Sequence, residues 1–158
     1  MPKALAVFAL FGILVAAGCG ELTKDPLEGL NFQAPGDWES IGILGVHIFA
    51  SPDEKQFIMV DSMPADVDAV KQEWNSPNIR NPRNFVQRDI KICGTTSAHY
   101  AEALVYFAKT FQDMNGEMVT VRRGDETLVA TYLDLPGQPP DKKAEAAIYE
   151  LCPASGPK

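Results

Sequence analysis

Residues 118–135 read MVTVRRGDETLVATYLDL. β-Branched and aromatic residues crowd both sides of Arg123-Gly124-Asp125, and Gly-Asp is the composition that a tight turn requires. The stretch predicts a strand over 118–122, a turn at 123–125 and a partner strand over 127–135. The tripeptide also spells the adhesion sequence Arg-Gly-Asp, yet a hairpin tip accounts for it without a ligand.

The same grammar extends in both directions. Downstream, PGQPP (136–140) makes a rigid loop. Asp141 is placed to cap a closing helix, with Ala144, Ala147, Ile148 and Leu151 as its buried stripe and Pro153 as its stop. Residues 154–158 form a short tail. Upstream, Asn115-Gly116 is a second hairpin signal. Residues 98–108 (AHYAEALVYFA) suit a long strand, although their alanine content leaves a helix open. Residues 85–93 carry alternating Ile90 and Ile92 and read as a strand. The Asn- and Pro-rich stretch 75–84 reads as a loop, and 64–75 as a helix with Val67, Val70 and Trp74 along one stripe. A hairpin runs from 45–50 through a polar turn to 56–62. A short strand starts at Phe32 and ends at Pro35-Gly36. The expected class is α+β: a mainly antiparallel sheet flanked by two amphipathic helices.

The first 20 residues, MPKALAVFALFGILVAAGCG, set the compartment. Lys3 is the one charge before Glu21, the run 4–17 is apolar, and Ala16, Ala17 and Gly18 lead into Cys19. A basic start, a short apolar core and a small-residue exit make a secretory leader; the apolar run falls short of the ~20 residues that a membrane span needs. A cysteine directly after the small residues resembles the lipobox of bacterial lipoproteins, in which that cysteine is lipidated and becomes the first mature residue. The third residue before it is Ala16, where that family usually has Leu, so an ordinary cleaved leader is the alternative. The resemblance implies a signal peptide at 1–18 and a lipid anchor on Cys19; residues 20–31 (GELTKDPLEGLN) are polar, with Pro26 and Gly29, and read as a tether, so the lipid-anchored tether spans 19–31. The length that remains suits one globular domain at 32–153. The resemblance places the domain outside the cytoplasm on a membrane. Gly20 in place of Asp implies the outer membrane, where the cell has one.

The chain holds 14 basic and 21 acidic side chains, and loss of Lys3 with the leader takes the net charge from −7 to −8. Such a chain repels phosphate backbones, and no basic tract overrides this, so nucleic acid is not expected as a partner. With Cys19 lipidated, Cys93 and Cys152 remain as an even pair in an oxidising compartment and are expected to form a disulfide, two free buried thiols being the alternative. No CxxC or HxxxH spacing indicates a metal, and no cofactor is implied.

The segments NFQAPGDW (31–38), FIMV (57–60), ICGTTSAHYAEALVYF (92–107), RRGDE (122–126) and KAEAAIYELC (143–152), taken in order, resemble the Mog1/PsbP-like fold, and within it small bacterial secreted proteins and lipoproteins without an assigned activity. The likeness rests on element order and on the phrase from Phe32 to Trp38. It implies a sheet sandwiched between helices, and an assembly or accessory role. It carries over no catalytic residue.

The residues themselves offer little chemistry. His47 and His99 are the only histidines. His99 and Glu102, three apart, would face opposite ways on a strand and share a face only on a helix. There is no GxSxG elbow and no phosphate loop of the GxxxxGK[ST] type. A disulfide would remove the thiolate that a nucleophilic Cys93 needs. Arg80 and Arg83 make the loop 75–84 the one locally basic surface, and partner contacts are expected at this loop or at an open sheet edge. Trp38 and Trp74 read chiefly as core anchors. The expected function is a membrane-anchored accessory or binding protein without catalysis. The alternative is a carrier holding a small apolar ligand between sheet and helix near Trp38 and Trp74; a hydrolase using His47 or His99 ranks third.

Overall fold

The computed structural model describes residues 25–43, 46–63, 68, 86–107 and 112–153. Seven strands are present among them: β1 (Glu39–Ile43), β2 (Val46–Ala50), β3 (Gln56–Met63), β4 (Val86–Ile92), β5 (Thr96–Phe107), β6 (Gln112–Arg123) and β7 (Glu126–Asp134). They form one sheet in the order β1-β2-β3-β7-β6-β5-β4, antiparallel at every pairing. Two meanders, β1-β2-β3 and β4-β5-β6-β7, are joined where β7 lies against β3. One short helix, α1 (Lys142–Ala147), follows.

The hairpin at 123–125 forms as its composition predicts. Arg123 pairs with Glu126, and Gly124 turns the chain at φ +64°, a left-handed value that glycine adopts without steric penalty. Residues 98–108 are strand wherever described, because alternate side chains of β5 pack on opposite faces between two ladders. Asn115-Gly116 is not a turn. Both residues lie inside β6, opposite Leu104 and Ala103 on one side and Asp134 and Leu133 on the other. Two flanking strands supply ladder partners, and this pairing outweighs the local turn preference. No strand forms at Phe32, while the unexpected edge strand β1 begins directly after Trp38.

α1 starts as expected. The Asp141 carboxylate accepts from the backbone N–H groups of Lys143 (2.8 Å) and Ala144 (3.2 Å). Ala144, Ala147, Ile148 and Leu151 are all buried, although the helix ends at Ala147, well before Pro153. The fold is thus mainly β. The described residues include one complete short helix against the two flanking helices expected, and of the stretch 64–75 only Asp68, a helical residue, is described.

The face of the sheet under α1 holds Val60, Tyr100, Val119, Ala130 and Tyr132. Trp38, Leu27, Leu30 and Phe32 pack onto it from the segment 25–38. The described part of the expected tether, 25–31, is therefore fastened to the domain. Arg123 Nη1 donates to the carbonyls of Pro26 (3.1 Å) and Glu28 (3.3 Å), Asn31 N–H donates to Cys152 O (3.0 Å), and Leu30 bridges Pro153.

Cys93 and Cys152, 59 residues apart, meet at disulfide distance with Cα atoms 6.0 Å apart. Cys93 opens the β4–β5 turn at φ +54°, followed by Gly94 at +80°. A left-handed non-glycine residue costs on the order of 1–2 kcal/mol, so a neighbouring constraint has to hold it there. Closing a loop of this length contributes about 4 kcal/mol through the unfolded chain. A Cys93→Ser, Cys152→Ser double variant is expected to lose close to that amount in denaturant unfolding, and reduced wild type is expected to unfold at the midpoint of the variant.

Candidate functional site

Strand register sorts the polar residues into two groups on opposite faces. Cross-strand partners share a face, and residues two apart along a strand do too. Asp89, His99 and Thr120 are paired across β4, β5 and β6. Lys91 and Ser97 are paired one step further along, and Arg122 continues that row on β6. These six line an open cleft of about 540 Å³ on the face away from α1.

Within the cleft His99 is buried, 6% exposed. Its Nδ1 lies 3.1 Å from Asp89 Oδ1 and its Nε2 lies 2.9 Å from Gln87 Oε1. Both ring nitrogens are thus held by β4, and the imidazole is fixed in place. Lys91 Nζ donates to Ser97 Oγ. Arg122 Nε donates to the Gly124 carbonyl at 2.7 Å. Thr120 is 1% exposed, and its hydroxyl has no hydrogen-bond partner.

His47 lies on the other face. It is paired with Val60 on β3, stacks near Phe49 and sits 2.9 Å from Asp25 Oδ1. The two histidines are therefore separated by the sheet and cannot act on one substrate. Glu102 also points away from His99, as a strand spacing of three requires; it accepts from the Tyr100 hydroxyl at 3.1 Å.

Glu102 belongs to the second polar group, at the far end of the α1 face. There it is directly opposite Glu117, which is opposite Tyr132, while Asn115 is opposite Asp134. α1 adds Glu145, paired with Lys142 at 2.6 Å. Tyr149 stacks on Tyr100 at 6.2 Å, and the Arg88 guanidinium lies 4.4 Å over the Tyr100 ring. Burial, then the charges of Glu145, Glu102 and Asp134, hold the Glu117 carboxyl above its ordinary range against the opposing Tyr100 hydrogen bond. Burial first, then Glu145, does the same to Asp134, although the Asn115 side chain opposes it. Burial and the carboxylates also raise the Tyr100 and Tyr132 hydroxyls.

Trp38 is a core residue at 8% exposure, packed between the segment 25–38 and the sheet. Arg123, the first residue of the Arg-Gly-Asp tripeptide, ion-pairs with Glu126 at 2.7 Å and clamps the segment 25–28, so its guanidinium is engaged by its own chain. Cys19, Trp74, Arg80 and Arg83 lie outside the described residues. Among the described residues no group of three His, Cys, Asp or Glu side chains is arranged to hold a metal, and no helix is long and apolar enough to cross a membrane. The cleft residues Lys91, Thr120 and Arg122 were not singled out by the sequence. Their signal was present as polar residues at two-residue spacing in three successive strands (Asp89 and Lys91, Ser97 and His99, Thr120 and Arg122).

No family model and no curated protein matches this chain. Among solved structures, a protein of Bacteroides thetaiotaomicron VPI-5482 superposes with a TM-score of 0.52 at 16% identity. The match covers 75% of this chain and 42% of the other, so the matched part spans less than half the length of that protein. The likeness is one of fold.

The crowded carboxylates give a pH signature. A carboxyl whose folded value is raised binds its proton more tightly in the folded chain. Its stabilisation is full below the ordinary value, 4.5 for Glu117, and is lost as pH rises through the raised one. Glu117→Gln, which mimics the protonated form, is expected to raise the melting temperature at about pH 7.5 and to make no difference near about pH 4. Melting curves of both proteins across that range check it.

Proposed function

We propose that this chain is a lipid-anchored lipoprotein of the bacterial envelope whose domain serves a partner as a binding or accessory factor, with no catalysis of its own. The observation that carries the reading is the leader ending at Cys19, ahead of a domain whose entry and exit are fastened at one point. Asn31 bonds Cys152, Leu30 bridges Pro153, and Cys152 meets Cys93. A tethered domain takes load where its chain enters, and a covalent link there resists fraying in a compartment that favours oxidised cysteines. Two or more acyl chains on Cys19 would make the attachment stable, since each buried methylene contributes about 0.8 kcal/mol.

The finer architecture belongs to the same proposal. In a Mog1/PsbP-like sandwich the face away from α1 is covered as well. Its described side chains Phe57, Met114, Met118 and Leu133 are fully buried, and the connection from β3 to β4 has to pass three strands to reach the far edge. A helix at 64–75 with Val67, Val70 and Trp74 facing the sheet would meet both requirements. Partner contacts then fall to the loop bearing Arg80 and Arg83 or to the sheet edges, where Ile41 on β1 and Val86 on β4 are exposed.

Native-membrane crosslinking followed by mass spectrometry, on wild type and Cys19→Ser, tests the reading. The wild type is expected in the membrane fraction with a discrete protein partner, and Cys19→Ser is expected in the soluble envelope fraction without it. Equal membrane retention of both forms would overturn the anchor, and an absence of any enriched partner would overturn the accessory role.

A further inference from the structure

We propose that the cleft between β4, β5 and β6 binds a single phosphate group, either inorganic phosphate or a phosphomonoester. The assignment stands on the cleft alone and holds whether or not Cys19 is lipidated. Two rows of side chains lie side by side: Lys91, Ser97 and Arg122 in one, Asp89, His99 and Thr120 in the other. Strands lie about 4.8 Å apart, so Lys91 and Arg122 flank Ser97 on two sides at the reach of one small anion.

The donor inventory is what points to phosphate. Lys91 donates one of its three protons to Ser97 Oγ, which leaves the Ser97 hydroxyl proton uncommitted. Arg122 uses Nε on the Gly124 carbonyl, which leaves its two terminal nitrogens directed elsewhere. Thr120 contributes a buried hydroxyl without a partner. No described carboxylate pairs with Lys91 or Arg122. Three exposed donor side chains thus line one cleft, with the Thr120 hydroxyl buried in its wall. A planar carboxylate offers two oxygens; a tetrahedral phosphate offers acceptors on every side and the charge to match two cations. Asp89 at the rim is directed to His99, so its negative charge offsets the cations only in part. Because His99 is held by Gln87 and Asp89, its role is to fix the wall of the cleft.

The test uses the full chain in detergent micelles, with inorganic phosphate as the first probe and calorimetric titration as the readout. Saturable one-to-one binding is expected, weakened about tenfold or more in Arg122→Gln and in Lys91→Gln, and unchanged in Arg88→Gln on the opposite face. Thr120→Val separates ligand binding from structure. Removing the unpartnered hydroxyl is expected to raise the melting temperature without phosphate and to lower phosphate affinity. Flotation with phosphatidylcholine vesicles, with and without phosphatidic acid, distinguishes the source. Binding to phosphatidic acid vesicles, abolished by Arg122→Gln, without binding of free phosphate would assign the site to a lipid headgroup. Absence of both, or an equal loss in Arg88→Gln, would overturn the proposal.

Discussion

Strand β7 is buried from Thr127 to Asp134 without interruption, on both of its faces. The rest of the structure depends on that. A strand with no solvent-facing side has to be central and has to be covered twice. β3 and β6 flank it, and each is buried where it runs beside the centre of β7, at Phe57–Val60 and at Val119–Val121. Its polar side chains must then find partners inside the fold. Tyr132 shows how: its hydroxyl donates to Gln56 Oε1 at 2.8 Å and accepts from the Asp141 backbone N–H at 3.2 Å. Asp141 is the cap of α1, so a buried tyrosine in the middle of the sheet fixes where the helix begins. The helix then lays Ala144, Ala147 and Ile148 back onto the sheet that positions it.

A helix of six residues cannot cover a seven-stranded sheet, and the remainder of that face falls to the segment 25–38. Phe32 packs on Phe49 with ring centroids 5.5 Å apart, and Trp38 closes the core beside β1. Arg123 secures the beginning of the segment by donating to two of its carbonyls. A hydrogen bond from a charged donor contributes about 1.5–3 kcal/mol, more than a neutral one. Here it joins the tip of the β6–β7 hairpin to the point where the chain enters the domain. The tripeptide that invites an adhesion reading is, in this fold, half turn and half clamp.

How far the sequence could be read follows from the range of the interactions involved. The β6–β7 turn, the Asp141 cap and the stripe of Ala144, Ala147, Ile148 and Leu151 are decided within a few residues, and all were legible. Asn115-Gly116 misled because its local preference was overruled by partners in β5 and β7 that lie distant in sequence. β1 was missed because an edge strand of five residues that includes a glycine and faces solvent in part carries little of the apolar alternation that marks a strand. The polar composition of 25–31 reads as a tether, since the arginine that holds it lies some 95 residues away. The cleft was illegible for a similar reason. Three unremarkable pairs of polar residues become a site only once the register sets them side by side, and register is a property of the sheet as a whole.

The two faces also differ in charge. In a chain with 21 acidic and 14 basic side chains, cations are the scarcer group and pairing them would relieve repulsion. The α1 face instead gathers Glu102, Glu117, Asp134 and Glu145, where burial first, and then the neighbouring carboxylates, hold Glu117 and Asp134 above their ordinary protonation range. The opposite face keeps Lys91 and Arg122 without a described carboxylate of their own, beside a hydroxyl with no partner. Folding stability alone would favour moving those charges together, because the ionised Glu117 and Asp134 are disfavoured in the folded chain. Keeping them apart gives the domain a direction. In a chain of net charge −7, the cleft gathers two cations that have no described carboxylate partner. The same register that gathers these cations also sets His47 and His99 on opposite sides of the sheet, so the two imidazoles cannot meet on one substrate.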